Sequence, residues 1–306
     1  MSASAPAAKP EAPARVAWSH GRAAWMMVAA TLMWATAGVV TRHLEHARSF
    51  EITFWRSAVT ALTLAVVLPL WRGKATLAAF RRGGRALWVS GLCWSVMFTA
   101  FMVALTLTST ANVLVTMSLG PLLTALAARV FTGHRIPART WGAIMVAGAG
   151  IAWMYVTKFE QGELAGTLVA LCVPLAAACN WTVVHHGQVH GRQVDLVPAV
   201  LIGALLSALA TLPLAWPMSA SAHDLRLLAF LGVVQLAIPC VIVVVCARVL
   251  AAPEVALLGL LEVVFGVALA WLGANETPAP AVLTGGALVM AALVANEWLG
   301  WRARQR

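Results

Sequence analysis

Asp224–Arg248 reads DLRLLAFLGVVQLAIPCVIVVVCAR, and no charge interrupts it between Arg226 and Arg248. A run of ~20 apolar residues in helical form spans the ~30 Å hydrocarbon core of a bilayer. A soluble helix of that length would show a polar face at the helical period, and this stretch shows none. It carries one amide, Gln235, and one proline, Pro239, at mid-depth. Nine segments of like character flank it: Ala23–Thr41, Phe50–Trp71, Arg85–Thr108, Thr110–Phe131, Ala138–Val156, Gly162–Gly187, Asp195–Ala215, Ala252–Leu272 and Pro278–Gly300. The pattern predicts an all-α polytopic membrane protein with ten transmembrane helices. Almost nothing remains between the spans, so whatever chemistry the chain performs lies within the bilayer.

Composition agrees. Of 306 residues, 61% are hydrophobic and only 10% charged, against about 25% charged in an average globular domain. The net charge of +10 does not read as nucleic-acid binding, because the basic residues sit between apolar spans and form no basic helix with interleaved aromatics. Tallied by loop parity, sixteen Lys and Arg fall on one side and four (Arg42, Arg48, Lys158, Arg226) on the other, with Arg56 inside a span. The positive-inside rule then places both termini in the cytoplasm of an inner-membrane protein. Five cysteines, Cys93, Cys172, Cys179, Cys240 and Cys246, all lie in spans and read as small packing residues. Residues 1–22, rich in Ala and Pro, read as a disordered cytoplasmic tail, and 301–306 as a short basic one. The first apolar run exceeds the 7–15 residues of a signal-peptide core, so it is taken as a retained span.

The punctuation recurs at an offset of about 141 residues: Gly91 with Gly232, Leu119 (two before Pro121) with Leu260 (two before Glu262), Pro137 with Pro278. This divides the chain into 23–156 and 162–300, five spans each. Five is odd, so two like units must run in opposite senses, as in transporters with inverted repeats and a midplane site between them.

Three stretches carry a resemblance: LMWATAGVVTRHLEHARSFEITFWRSAVTALTL with Trp34 and Arg56, SLGPLLTALAARVFTGHRIPARTWGAIMVAGAG, and LLEVVFGVALAWLGANETPAPAVLTGGALVM. Over roughly 25–298 the chain resembles the drug/metabolite transporter superfamily, in its branch of two EamA-type repeats, and within that the YddG-like aromatic amino acid exporters. It departs from the family at His134, where Glu is common, and at Val263, where Pro is common. The resemblance implies ten helices in an inverted 5+5 arrangement around a cavity that opens alternately to each side.

Polar groups at membrane depth are costly and therefore candidates for function. Glu262, in the ninth span, could exchange a proton, attract a substrate ammonium, or bond helices together. Arg56, two turns into the second span, could snorkel to the interface, pair with Glu262, or hold a carboxylate. Gln235 precedes Pro239 by four residues and Asn180 follows Pro174 by six; neutral amides in spans join helices, but a broken helix also frees backbone groups to line a polar space. Thr116 and Ser118, before Gly120-Pro121, follow the same logic. Of fourteen Trp, most sit at span ends as an interfacial belt. Trp34, Trp94 and Trp181 do not, and an indole facing a cavity offers a flat surface to aromatic groups and to an ammonium. Gly91, Gly232, Pro121, Pro174 and Pro239 are candidate hinges, or static kinks.

The run His185-His186-Gly187-Gln188-Val189-His190 resembles a histidine box, but no second box on the same side would complete a metal shell, so no metal is expected. The chain has no phosphate-binding loop, no HExxH and no GxSxG. These readings predict a secondary transporter without a cofactor, not an enzyme. It would export amphipathic metabolites, aromatic amino acids foremost, with protons as a coupling partner. A multidrug exporter on the same scaffold is the nearer alternative, and a membrane-embedded lipid-modifying enzyme the remoter one.

Overall fold

Hydrocarbon offers backbone N–H and C=O groups no partner, so a segment crossing it must close its own hydrogen bonds. The computed structural model describes residues 19–132, 137–156, 161–189, 195–247, 249–250, 255 and 258–305, and among these no strand occurs. The helices are α1 (His20–Thr41), α2 (Ser49–Arg72), α3 (Lys74–Arg82), α4 (Gly84–Leu107), α5 (Thr110–Met117), α6 (Gly120–Thr132), α7 (Ala138–Val156), α8 (Gln161–Val189), α9 (Val197–Ala215) and α10 (Ala222–Phe230). A π-helical segment (Leu231–Ala237) then leads into α11 (Ile238–Cys246), followed by α12 (Leu261–Ala274) and α13 (Pro280–Gln305).

Helices stand at each expected position. Seven stretches are long and apolar enough to cross a membrane: α1, α2, α4, the α5–α6 pair over Thr110–Ala127, α9, the rod Ala222–Cys246, and α13 over Pro280–Ala303. Shorter apolar stretches are Leu164–Asn180 in α8 and Leu261–Ala274 in α12.

Three details correct the sequence reading. First, α3 occupies what looked like a loop. Its Thr76 hydroxyl donates to the Leu68 carbonyl (3.0 Å), Ala79 is buried, and Lys74, Arg81 and Arg82 are exposed, the pattern of a short helix lying along an interface. Second, the fourth span is two helices, not one; it breaks at Ser118–Leu119 between α5 and α6, and the ninth turns at Leu260 before α12. Third, α1 begins at His20, where the Ser19 side chain accepts from the Arg22 amide (3.3 Å), and α13 continues to Gln305, so helix replaces part of each expected tail; residues 1–18 lie outside the described residues.

The helices pack in a regular scheme. α4 lies against α8 and α9, α2 against α9, α10 and the π segment, and α1 against α12, α11 and the π segment; α8 also meets α5 and α6, α7 pairs with α13, and α5 with α12. Small residues set the closest crossings. A Cβ on Gly91 would lie 2.4 Å from Ile202 Cγ2, one on Gly203 2.4 Å from Trp94 Cβ, and one on Gly232 2.7 Å from Val59 Cβ. Without a hydrophobic drive between helices in lipid, such close approach is what dispersion and packing require.

The outside of this bundle is greasy. Trp25, Trp71, Trp88, Trp141, Trp153, Trp216, Trp271, Trp298 and Trp301 are all exposed, as are Leu62, Leu70, Leu209 and Leu272. Apolar surface on that scale marks a lipid-facing wall. The indoles match the belt expected of span ends.

Candidate substrate site at the helix breaks

The π segment exists for a local reason. Pro239 lacks the N–H that would bond the carbonyl of Gln235, and its ring crowds that carbonyl. The backbone widens into a π turn over Leu231–Ala237, placing Pro239 in the first turn of α11. Such turns recur at functional sites. Here the turn aims Gln235, 2% exposed, into the bundle. Its Oε1 accepts from Arg56 Nη1 (3.1 Å) and its Nε2 donates to the Trp34 carbonyl (3.4 Å).

Arg56 is wholly buried, so it does not snorkel. Its Nη2 donates to the Phe98 carbonyl (2.7 Å), and its guanidinium carbon lies 5.9 Å from the Phe98 ring centroid and 5.8 Å from that of Phe101. Arg56 and Glu262 form no ion pair among the described residues. Cys240 and Trp34 pack in one apolar cluster, and α12, which carries Glu262, lies against α1. Trp34, Arg56, Gln235 and Cys240 thus gather from α1, α2, the π segment and α11, with Glu262 on α12 beside α1.

Glu262 sits in the first turn of α12, directly after the turn at Leu260. A carboxylate there stands at the positive end of the helix dipole. One turn on, Gly266 approaches Leu114 of α5 and Ala35 of α1, which fixes α12 between those helices. Glu262 is half-buried, and among the described residues it has no hydrogen-bond partner.

Trp94 adjoins this cluster through Phe98, ring centroids 5.4 Å apart, and is half-buried where α4 crosses α9. Asn180 and Thr116 are engaged elsewhere. Ser90 Oγ donates to Asn180 Oδ1 (2.6 Å), tying α4 to α8, and Thr116 Oγ1 donates to the Asn112 carbonyl of its own helix (2.8 Å). The side chain of Trp181, and with it His185, His186 and His190, lies outside the described residues; no cluster of metal-ligating side chains occurs among those described. Of the candidate hinges, Pro121 lies in the first turn of α6 beyond a true break, where a missing N–H costs nothing. Pro174 stands within the continuous α8, close to Gly120. Gly91 and Gly232 mark tight crossings, and the Gly232 carbonyl accepts from Thr60 Oγ1 (2.8 Å).

Three carboxylates not singled out in the sequence organise one end of the bundle. Glu51 accepts from the Ser219 amide (2.9 Å), the Ser219 hydroxyl (3.0 Å) and the Ala220 amide (2.8 Å). Asp224 accepts from the amides of Glu45 (2.8 Å), His46 (3.0 Å) and Ala47 (3.1 Å), and completes a capping box with Ser221. Glu276 accepts from Arg42 Nε (2.9 Å) and from the Thr110 hydroxyl (2.9 Å). Each of these clasps joins residues before 157 to residues after 160. At the opposite end Arg72 pairs with Asp195, and Thr140 donates to Asn296 (2.9 Å). In the sequence the three acids look like ordinary span ends; only the folded loops bring amides to them.

Comparison with known proteins agrees with this architecture. The chain is 25% identical over 249 residues to the pseudopaline exporter CntI of Pseudomonas aeruginosa strain UCBPP-PA14, covering 80% of this chain and 84% of that one. The same protein from strain ATCC 15692 matches to the same extent. A solved crystal structure, 19% identical, superposes with a TM-score of 0.63 over 93% of this chain and 99% of its own; that likeness speaks to the fold alone. Residues 21–156 match the EamA-like transporter family, and the comparisons together indicate a multi-pass membrane transporter, not an enzyme.

Proposed function

We propose that this chain is an inner-membrane secondary transporter that exports amphipathic metabolites, aromatic amino acids among them, by alternating access between two inverted five-helix units. The observation that carries the proposal is the pairing of helices. Let α1, α2, α4, α5–α6 and α7 exchange places with α8, α9, α10–α11, α12 and α13. The contact of α1 with α12 becomes that of α8 with α5–α6. The contact of α4 with α8 becomes that of α10–α11 with α1, and α4 with α9 becomes α10–α11 with α2. The pairs α2–α9, α5–α12 and α7–α13 map onto themselves. The breaks at Leu119 and Leu260 correspond too. Discontinuous helices at matching places in two halves are the usual sign of a midplane transport site.

In this reading the apolar part of a substrate lies against Trp34 and Trp94, and its polar atoms face the Arg56–Gln235 pair and Glu262. The three carboxylate clasps shut the outer end, and export requires their release. Both termini are cytoplasmic, which places exposed Lys74, Arg81 and Arg82 of α3 on the inner leaflet, as the positive-inside rule favours. Glu262 carries the coupling proton. The unpaired acid costs at least ~2.5 kcal/mol at membrane depth, a cost that a proton or a substrate ammonium relieves.

The test is flux of labelled tryptophan and phenylalanine in proteoliposomes, with and without a pH gradient. Gradient-driven flux that disappears in Glu262→Gln supports the coupling role, and unchanged gradient-driven flux in that variant removes it. Movement of a cationic dye with no movement of amino acid would favour a multidrug exporter on the same scaffold.

A further inference from the structure

Among the described residues three charged side chains are all but completely buried: Glu51, Arg56 and Asp224. The two acids are each saturated by several donors. Arg56 is not. A guanidinium has five N–H donors, and Arg56 uses two of them, on the Gln235 amide oxygen and the Phe98 carbonyl. Its Nε has no partner, and no carboxylate among the described residues touches it. A buried cation at bilayer depth, served by two neutral acceptors and two ring faces, lacks its counter-charge.

Resting on the export reading, we infer that Arg56 is the carboxylate subsite of the transport path, and that the Gln235 amide is its stand-in when no substrate is bound. An amide oxygen occupies the place of one carboxylate oxygen, whereas a carboxylate offers two and fits the guanidinium fork with charge-assisted bonds. Gln235 is placed to leave. It sits in the π segment ahead of Pro239, and conversion of one π turn to α geometry shifts the register of the helix and swings the amide aside. With Arg56 released from Gln235, the freed Nη1 donor joins the unpartnered Nε as bonds that a substrate carboxylate completes. The unpartnered Glu262, on α12 against α1, supplies the opposite charge. The ligand class is therefore a zwitterion: a carboxylate for Arg56, an ammonium for Glu262, and an apolar or aromatic group for the indoles.

The experiment measures thermal stabilisation of the detergent-solubilised full chain by matched probes that differ only in the carboxylate: tryptophan against tryptamine, and phenylalanine against phenethylamine. The wild type is expected to bind the amino acids at least tenfold more tightly than the amines. Gln235→Glu places an internal carboxylate on Arg56; this variant is expected to melt at higher temperature and to lose the amino acid preference. Gln235→Ala removes the stand-in and is expected to tighten amino acid binding several-fold, which keeps the test open should the first variant not fold. Equal binding of acids and amines by the wild type, or an undiminished preference in Gln235→Glu, overturns the inference. Amino acid flux without carboxylate-dependent stabilisation sinks the subsite and leaves the export reading. Carboxylate-dependent stabilisation without flux sinks the export reading and leaves the subsite.

Discussion

At the scale of single residues, polar groups in the spans divide by what they bond. Asn180 receives the Ser90 hydroxyl at 2.6 Å, and Thr116 returns its proton to its own helix. Interhelical bonds of this sort contribute ~0.6–1.7 kcal/mol in membranes. Asn180→Ala is therefore expected to lower the melting temperature in detergent while the half-saturating substrate concentration for flux moves less than twofold. Thr116→Val, which keeps shape and loses only a local bond, is expected to be nearly silent in both measurements. Trp34 differs because its carbonyl holds Gln235 while its side chain packs against the Cys240 cluster. Trp34→Leu keeps the backbone bond and is expected to weaken aromatic substrates more than aliphatic ones in competition flux assays.

At the scale of helices, the decisive features are the breaks and the tight crossings. Pro239 sustains the π segment by denying Gln235 a backbone donor. Pro239→Ala restores that donor. The variant is expected to be more stable thermally and several-fold slower in turnover, because the rod loses its reason to widen; faster or equal flux would show the π turn to be passive. Gly232 is the opposite case. A methyl there would stand 2.7 Å from Val59 Cβ and 2.9 Å from the Arg56 carbonyl oxygen. Overpacking of a well-fitted contact costs ~1–3 kcal/mol, so Gly232→Ala is expected to lower stability by about that amount in denaturation measurements. It pushes α2 and the π segment apart, so flux should fall with it.

At the scale of the whole molecule, the two ends differ in how they are tied. Glu51, Asp224 and Glu276 each take several donors across the halves at one end, while the other end is joined by Arg72–Asp195 and Thr140–Asn296. Hydrogen bonds to charged groups contribute about 1.5–3 kcal/mol each, so release of the first end has a substantial cost. The cysteines provide a reporter: Cys240, 1% exposed, packs beside Trp34 and the π segment. In intact cells a membrane-impermeant maleimide is expected to label Cys240 poorly in the wild type and several-fold faster in Glu51→Gln with Asp224→Asn. Unchanged labelling in that double variant would mean that the clasps do not govern access from that side.

How much of this was legible in the chain depends on the range over which each feature is determined. The uninterrupted apolar runs between charges required helices, since no other structure satisfies a backbone in hydrocarbon, and helices stand where those runs lie. The offset of Leu119 and Leu260 was visible as punctuation, and both prove to be points of interruption. The sequence also singled out Arg56, Gln235, Trp34 and Glu262, because a costly polar or aromatic group at depth stands out whatever surrounds it. It left their partners open, with Glu262 as one candidate for Arg56. That Arg56 meets Gln235 and the Phe98 carbonyl and not Glu262, that Asn180 meets Ser90, and that Glu51 and Asp224 cradle loops some 170 residues distant are consequences of how the helices pack. Composition and periodicity act over neighbouring residues and so decide which segments are helices; which side chains share a hydrogen bond is decided by crossings between helices, where a missing Cβ at Gly91 or Gly232 sets the approach.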